Sequence, residues 1–537
     1  MGRKRAWTIL FFVTVFCGIC TAGAVETKTG GRPKLIVNIV VSQMRYDYLT
    51  RFGANFSDDG FLRFVQKGAH FTSGYYNYMQ TLTPVSLATL TTGVNPSMHG
   101  VISSRWIDYV TGRVVQLAED QNVYGLGCDD GLGRYSSRHI TLPTLGDKLL
   151  GESPRSRVVT VAADPLSAVA MGGKTSSVYW LDPSRGTWIS SSGYMSSLPE
   201  WIVRYNETRL ADFLSENDWS LLLPAESYVN TRSSVIGITA NDRKRRNETQ
   251  EYEGLLRSPA GNTMVAEFAK QAVINEGLGK DAFPDILNIC FDASRWVGER
   301  YGDDSREVED MFYRLDADLA DLVGFIVAQI PQEEVLFVLT SDHGVSDPYD
   351  RGKRANERFN ADQFKVIMNS FLTVQFGEGD WVLDYIDRQL YLNHNLIYQK
   401  NLSLEEVQDR AATFALQFRG VSHVLTATAM RNGYFGDSYG QKMQNGFYPR
   451  RAGDLMINLM SGWIEEREGV RALPGSMFDY DTHVPLLWFG WKIPALRVSA
   501  PVDMTQVAPT LARILQIGRP IASTGETIGA LDNLMEN

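Results

Sequence analysis

Val335-Leu336-Phe337-Val338-Leu339-Thr340-Ser341-Asp342-His343-Gly344 is the stretch on which the fold turns. Six apolar or β-branched residues in a row read as a strand buried on both faces, and a polar cluster follows at once. In open α/β sheets the functional side chains collect just past the carboxyl ends of the strands. A carboxylate beside an imidazole at such an end suits Zn²⁺ or a similar divalent ion. A helix cap next to a hydrogen-bonded core histidine accounts for the same pair, so spacing alone leaves both readings open.

Outward from this stretch the chain repeats the pattern. Leu35–Val41 reads as a buried first strand, and Val158–Ala163, Ile286–Phe291 and Pro485–Phe489 read as others. Between two of them Val308, Met311, Phe312, Leu315, Leu319, Leu322, Val323 and Ile326 recur at helical spacing. A further helix opens at Asp503, with Gln506 completing a capping box. The alternation predicts an α/β fold with a mostly parallel central sheet flanked by helices, over residues 34–530. Two stretches break the rhythm and are expected as insertions, about 181–282 and about 350–477. The first carries the charged run Asp242–Asn247, read as a solvated loop. The second holds strand-like and helix-like pieces, Trp381–Leu392 and Leu404–Phe418.

Two more places could carry chemistry. Thr83-Pro84 before an apolar run reads as a threonine N-cap with proline at the first helical position. The same geometry would offer backbone N–H groups and a hydroxyl to an anion. Tyr480-Asp481-Thr482-His483 stands directly before the Pro485–Phe489 strand, where a histidine is either structural or a ligand.

The amino terminus reads as an export signal. Arg3, Lys4 and Arg5 precede an apolar run from Trp7 to Cys20, and Ala22-Gly23-Ala24 offers a cleavage site. That run is shorter than the ~20 residues of a membrane-spanning helix, so residues 1–24 are expected to be removed and 25–33 to form a short linker. The product would be periplasmic or secreted, with no transmembrane segment. Removal takes three basic residues and no acidic one, leaving 49 against 62 and a formal charge of −13. That balance argues against a nucleic acid partner held by bulk charge. Cys128 and Cys290 would remain, too few for a disulfide framework, and two thiols rather than a bridge are expected.

A series of landmarks then runs in order through the chain: Val41-Ser42-Gln43-Met44-Arg45-Tyr46-Asp47, Thr92-Gly93, Pro96-Ser97-Met98-His99-Gly100, Thr340-Ser341-Asp342-His343-Gly344, Gln444-Asn445-Gly446, Asp479-Tyr480-Asp481-Thr482-His483-Val484-Pro485 and Val507-Ala508-Pro509-Thr510-Leu511. In order and spacing they resemble the bacterial phosphate-irrepressible alkaline phosphatases, relatives of the type I phosphodiesterases and nucleotide pyrophosphatases, from about Pro33 to Ile528. The resemblance implies an alkaline-phosphatase-like fold, two Zn²⁺ ions and a threonine nucleophile.

Carried over residue by residue, it matches Thr83, Asp342 and His343 to the nucleophile and one metal site, and His483 to the late histidine of the other. Three ligand positions are substituted. Ser42 stands where a first-strand aspartate is expected. In Arg295-Trp296-Val297-Gly298-Glu299, arginine replaces the aspartate and glutamate the histidine of an Asp-x-x-Gly-His motif. Glu299 could still bind a metal; a guanidinium cannot. A two-unit charge change against a divalent ion at ~4 Å and an effective dielectric of ~20 costs up to roughly 16 kcal/mol. The phosphate-binding positions differ as well, with Ser104 for an asparagine and Asp164 and Leu166 for a lysine and an arginine.

The expectation is therefore a pseudoenzyme with impaired phosphate-ester hydrolysis, with partial zinc occupancy or none. Arg295 would fill the space of a lost ion, pairing with Glu299 or Asp342, and the ligand would be a phosphorylated or anionic small molecule. Two alternatives stay open. One is a divergent metal-dependent phosphomonoesterase or phosphodiesterase using Thr83, with Asp292 as a further carboxylate. The other is a structural or partner-binding envelope protein.

Overall fold

The computed structural model describes residues 31–129, 132–216, 218–232, 252–347, 358–436, 439–523 and 525–534. The export signal, most of the linker and the Asp242–Asn247 run lie outside the described residues.

The central sheet is built on Leu35–Val41, a strand with no charged side chain. It pairs in parallel with Val335–Thr340 on one side and Asp285–Phe291 on the other. Outward the parallel order continues through Val158–Ala162 to Ser177–Asp182. On the opposite edge His483–Gly490 runs antiparallel to Val335–Thr340, and Ala69–Tyr75 antiparallel to it in turn. Alternate residues feed two cores: Leu35, Val37, Ile39 and Val41 face one layer of helices, Ile36 and Val40 the other. The mostly parallel sheet between helices is the architecture the apolar runs predict.

Register positions the site. Val40 lies opposite Thr340 and Val41 opposite Phe291, so residues 42, 292 and 341–343 leave the sheet side by side. Ala162 lies opposite Cys290, which brings Asp164 to the same edge.

The helix predicted from its apolar spacing spans Arg306–Gln329, capped by Ser305, whose side chain accepts from the Val308 amide. All eight of its periodic apolar residues are buried. The capping box at Asp503 and Gln506 forms, but it opens a short 3₁₀ turn before the α-helix Val507–Ile514.

The two irregular stretches differ. Between Val382 and Leu459 a separate four-stranded antiparallel sheet forms from Val382–Ile386, Gln389–Leu392, Leu455–Leu459 and Val421–Thr426. With the helices Ala361–Phe376 and Leu404–Ala415 it encloses its own core, including Phe364, Met368, Trp381, Val407 and Ile457. The stretch 181–282 does not stand apart. Thr187–Ser191 extends the main sheet, and Pro259–Asn275 packs against Asp285–Phe291 as part of the main core. Its polar surface loops mask that buried helix in the sequence. Cys128 and Cys290 form no disulfide, and Cys290 is buried.

Candidate functional site

Four side chains meet at the end of the central strand. The Ser42 hydroxyl donates to Asp342 Oδ2 at 2.6 Å, and Asp342 Oδ1 accepts from the backbone amides of Gln43 at 2.9 Å and His343 at 2.8 Å. His343 Nδ1 lies 2.7 Å from the Gly344 carbonyl, which makes that nitrogen the donor. Nε2 is then an acceptor, and Thr83 Oγ1 lies 3.2 Å from it and 3.3 Å from Ser42 Oγ. Asp342 and His343 are fully buried. The carboxylate charge is thus met by three strong N–H or O–H donors without a cation.

Thr83 is not the cap the sequence predicts. It is the first residue of the helix Thr83–Thr92, whose N-cap is Leu82, and it makes no capping bond. Its hydroxyl turns toward Ser42 and His343 instead, because those tertiary partners outcompete the helix end. Gln43 holds a left-handed conformation, φ 63°, and its side chain lies so close to Gly298 that a β-carbon there would stand 2.0 Å from Gln43 Oε1.

Beside this group Arg295 projects from the helix Ala293–Tyr301. Its Nη2 donates to Asp164 Oδ2 at 2.7 Å, and Nη1 lies 3.7 Å from Glu299 Oε1, one helical turn on. The expected pairing with Glu299 is present but loose; the close partner is Asp164 rather than Asp342. Asp164 is also the N-cap of Pro165–Gly172, its other oxygen accepting from the Leu166 amide at 2.9 Å. Burial works to lower the Arg295 pKa, and the carboxylates of Glu299, Asp164, Asp292 and Asp342 together raise it above its ordinary value. Asp292 does not reach out to the cleft. It accepts from the amides of Ala163 and Asp164 and from Ser167, and burial, with the Asp164 charge adding, holds its carboxyl above the usual range.

His483 is not brought to this site. It opens the strand His483–Gly490, and its ring stacks between Tyr46 and Tyr75 at 4.3 and 4.5 Å, with Nε2 2.9 Å from the Thr72 carbonyl. Pairing opposite Tyr75 in the antiparallel ladder fixes it there. Leu473, Pro474 and Gly475, some ten residues earlier, line the cleft, and none has a ligating atom in its side chain.

The cleft has an empty volume, mouth included, of ≈ 820 Å³. Thr83, His343, Arg295, Glu299, Asp164, Leu166 and Ser104 line it. Across from them stand Asp387, Arg388, Glu465 and Arg467, which no motif announced. Asp387 and Arg388 form the two-residue turn of the hairpin Val382–Leu392, with φ 44° and 65°. Such turns favour Asn-Gly because both residues need positive φ. Here tertiary bonds hold a bulkier pair: Gln80 Nε2 donates to the Asp387 carbonyl at 2.9 Å, and Arg388 Nη1 to the Gly475 carbonyl at 2.8 Å. Arg467 closes the group on Asp387 at 3.2 Å and Glu465 at 3.0 Å.

The family profile described as type I phosphodiesterase / nucleotide pyrophosphatase matches residues 36–471. The chain belongs to that family. Among similar proteins, alkaline phosphatase PafA of Elizabethkingia meningoseptica is 28% identical over 544 residues, covering 98% of this chain and 99% of the relative. A Myroides odoratus protein named calcium-transporting ATPase is 27% identical over 543 residues, with 96% and 98% covered. The crystal structure of wild-type PafA superposes with a TM-score of 0.85 at 27% identity, over 93% of this chain and 98% of that one. The fold is thus that of the PafA-like alkaline phosphatases. Among the described residues no helix is long and apolar enough to cross a membrane.

Family membership raises the question of divalent ions, and the donor set does not fit a pair of them. Among the described residues no three His, Cys, Asp or Glu side chains are grouped to hold a metal ion. Asp342 is satisfied by Ser42 and two amides, His483 is elsewhere, and a guanidinium stands beside Glu299 where a cation would bind.

Proposed function

We propose that this protein is a pseudoenzyme of its family, a phosphatase-fold protein whose cleft no longer supports metal-assisted hydrolysis of phosphate esters. The observation that carries this reading is the 2.7 Å contact between Arg295 and Asp164. By resemblance, position 295 belongs to a metal ligand and position 164 to a phosphate-binding cation. Here the two have exchanged charge and neutralise each other. Phosphoryl transfer depends chiefly on cationic stabilisation of the transferring group, and Asp164 and Leu166 provide none. Zinc is expected at well under two ions per chain. By resemblance its ligand is a phosphorylated or anionic small molecule, held in a cleft lined by three arginines and four acids.

The amino-terminal pattern of Arg3 to Ala24 supports export, with a mature chain beginning at Val25. Terminal sequencing of protein from the native host checks that point.

The divergent-hydrolase reading draws on one observation, the Thr83 hydroxyl within 3.2 Å of His343 Nε2. Elemental analysis of the purified protein, with phosphomonoesterase and phosphodiesterase assays in excess Zn²⁺, separates the two. Little bound metal and no turnover supports the pseudoenzyme; about two ions per chain with turnover overturns it.

A further inference from the structure

The charged groups of the cleft divide by their partners. Asp164 is held by Arg295, Asp387 and Glu465 are held by Arg467, and Glu299 faces both of those guanidiniums. Asp387 also accepts from the Ser103 hydroxyl, and Glu465 from the Arg388 amide. The Arg388 side chain is different. It lines the cleft, yet the residue is only 4% exposed. A guanidinium has five N–H donors, and here Nη1 donates to the neutral Gly475 carbonyl at 2.8 Å. Among the described residues it makes no other hydrogen bond, and no ion pair at 4.0 Å or less. Asp481, whose charge also attracts it, is fully buried and stays beyond that distance. A positive charge withdrawn from water in this way is costly unless a counter-charge reaches it.

We propose that Arg388 is the anion receptor of this cleft, and that it takes a small aliphatic monocarboxylate. This deepens the reading of an anionic ligand in a cleft without resident metal, and rests on it. A planar guanidinium fork matches a carboxylate with two parallel N–H···O bonds. The unused N–H groups of Arg388 border the cleft and are not sealed within the protein. The helix Thr83–Thr92 opens at the same cleft without a side-chain cap, so its positive dipole end favours an anion there as well. One unpaired cation matches one negative charge. A phosphate dianion brings two past four lining carboxylates, and Asp164 and Leu166 stand where resemblance expects its binding cations. Leu82, Leu166, Leu473 and Pro474 give the cleft an apolar side suited to a short alkyl chain.

The test is calorimetric titration of the full mature chain, freed of metal by chelation, with sodium butyrate and, separately, inorganic phosphate. The expected result is saturable one-to-one binding of butyrate, tighter than any binding of phosphate. Arg388→Met keeps the stem and removes the charge, and should weaken butyrate by about tenfold or more. Arg388→Lys, which keeps the charge but not the fork, should bind with an affinity between those of the parent and Arg388→Met. Ser104→Asp adds an acid to the lining from a different segment and should weaken butyrate as well, so it decides the matter should the Arg388 variants fold poorly. Absence of saturable butyrate binding, or phosphate binding as tight or tighter, would overturn the proposal. So would an unchanged butyrate affinity in folded Arg388→Met or in Ser104→Asp. Zinc-dependent turnover in the separate assays would instead overturn the pseudoenzyme reading, because the titration is read on metal-free protein.

Discussion

Replacing Arg295 by methionine keeps the aliphatic stem and removes the guanidinium, and it should be among the costliest single changes near the cleft. Arg295 and Asp164 are 16% and 15% exposed and 2.7 Å apart, so their charges are mostly withdrawn from water. Removing one partner of a fully buried pair costs about 3–5 kcal/mol, because the other charge is left unmatched. Partial exposure lowers this, and the looser Glu299 contact adds little, giving about 2–4 kcal/mol here. Asp164→Asn removes the other charge while retaining the cap on the Leu166 amide, since asparagine is a good N-cap. The double variant should be less damaged than the sum of the singles by about 1.5–3 kcal/mol. Reversible urea unfolding of the four proteins measures that difference. Additivity within about 0.5 kcal/mol would refute the claim that the two charges hold each other.

Ser42→Asp would set a second carboxylate against Asp342 Oδ2, now 2.6 Å from the serine hydroxyl. At ~4 Å and an effective dielectric of ~20 the repulsion is about 4 kcal/mol, so the variant should melt lower in chelator and recover with Zn²⁺, whereas the parent responds to neither. His483→Ala should cost about 1–2 kcal/mol through its two ring contacts and the Thr72 bond; an unchanged urea midpoint would refute that packing role. Burial pushes the Asp285 carboxyl up to about 6, although the amides of Gly279 and Arg157 donate to it. The folded state then binds the proton more tightly than the unfolded one, so this contribution is full below about pH 4 and is lost as pH rises through about 6. The loss is up to about 3 kcal/mol, and Asp285→Asn should flatten the stability–pH slope across that window.

The sheet was legible because its strands are apolar runs, and an apolar run buried on both faces leaves few other assignments. The Arg306–Gln329 helix was legible because its period is long and uninterrupted. Asp342 and His343 could be placed at a strand end because the strand before them was certain. Thr83 was legible as a helix start but not as its first turn rather than its cap, since Thr-Pro opens a helix equally well from either, and Ser42 and His343 decide it from afar. His483 was misjudged by place. It is the conspicuous metal-binding residue of its segment, but the ladder with Ala69–Tyr75 turns it between two tyrosines, and the apolar stretch Leu473–Gly475 lines the cleft instead. The Arg295–Asp164 contact joins residues 131 positions apart, which no local pattern announces. Asp387 and Arg388 were hidden because a tight hairpin is recognised by asparagine and glycine, and this one is held by Gln80 and Gly475.

The site's backbone is tightly held, and its acidic charges are answered from within the chain. The left-handed Gln43, which costs about 1–3 kcal/mol of backbone strain, follows the central strand, and Gly298 gives its side chain room. The helix beginning at Thr83 is wholly buried beneath the cleft. Carboxylates gathered at the end of a parallel sheet repel one another unless something positive stands between them. In this chain a hydroxyl and two amides answer Asp342, and a guanidinium answers Asp164. Both solutions are covalently part of the chain and present from the moment it folds. The cleft can therefore keep its form without an ion, with Glu299 facing the Arg295 and Arg467 guanidiniums.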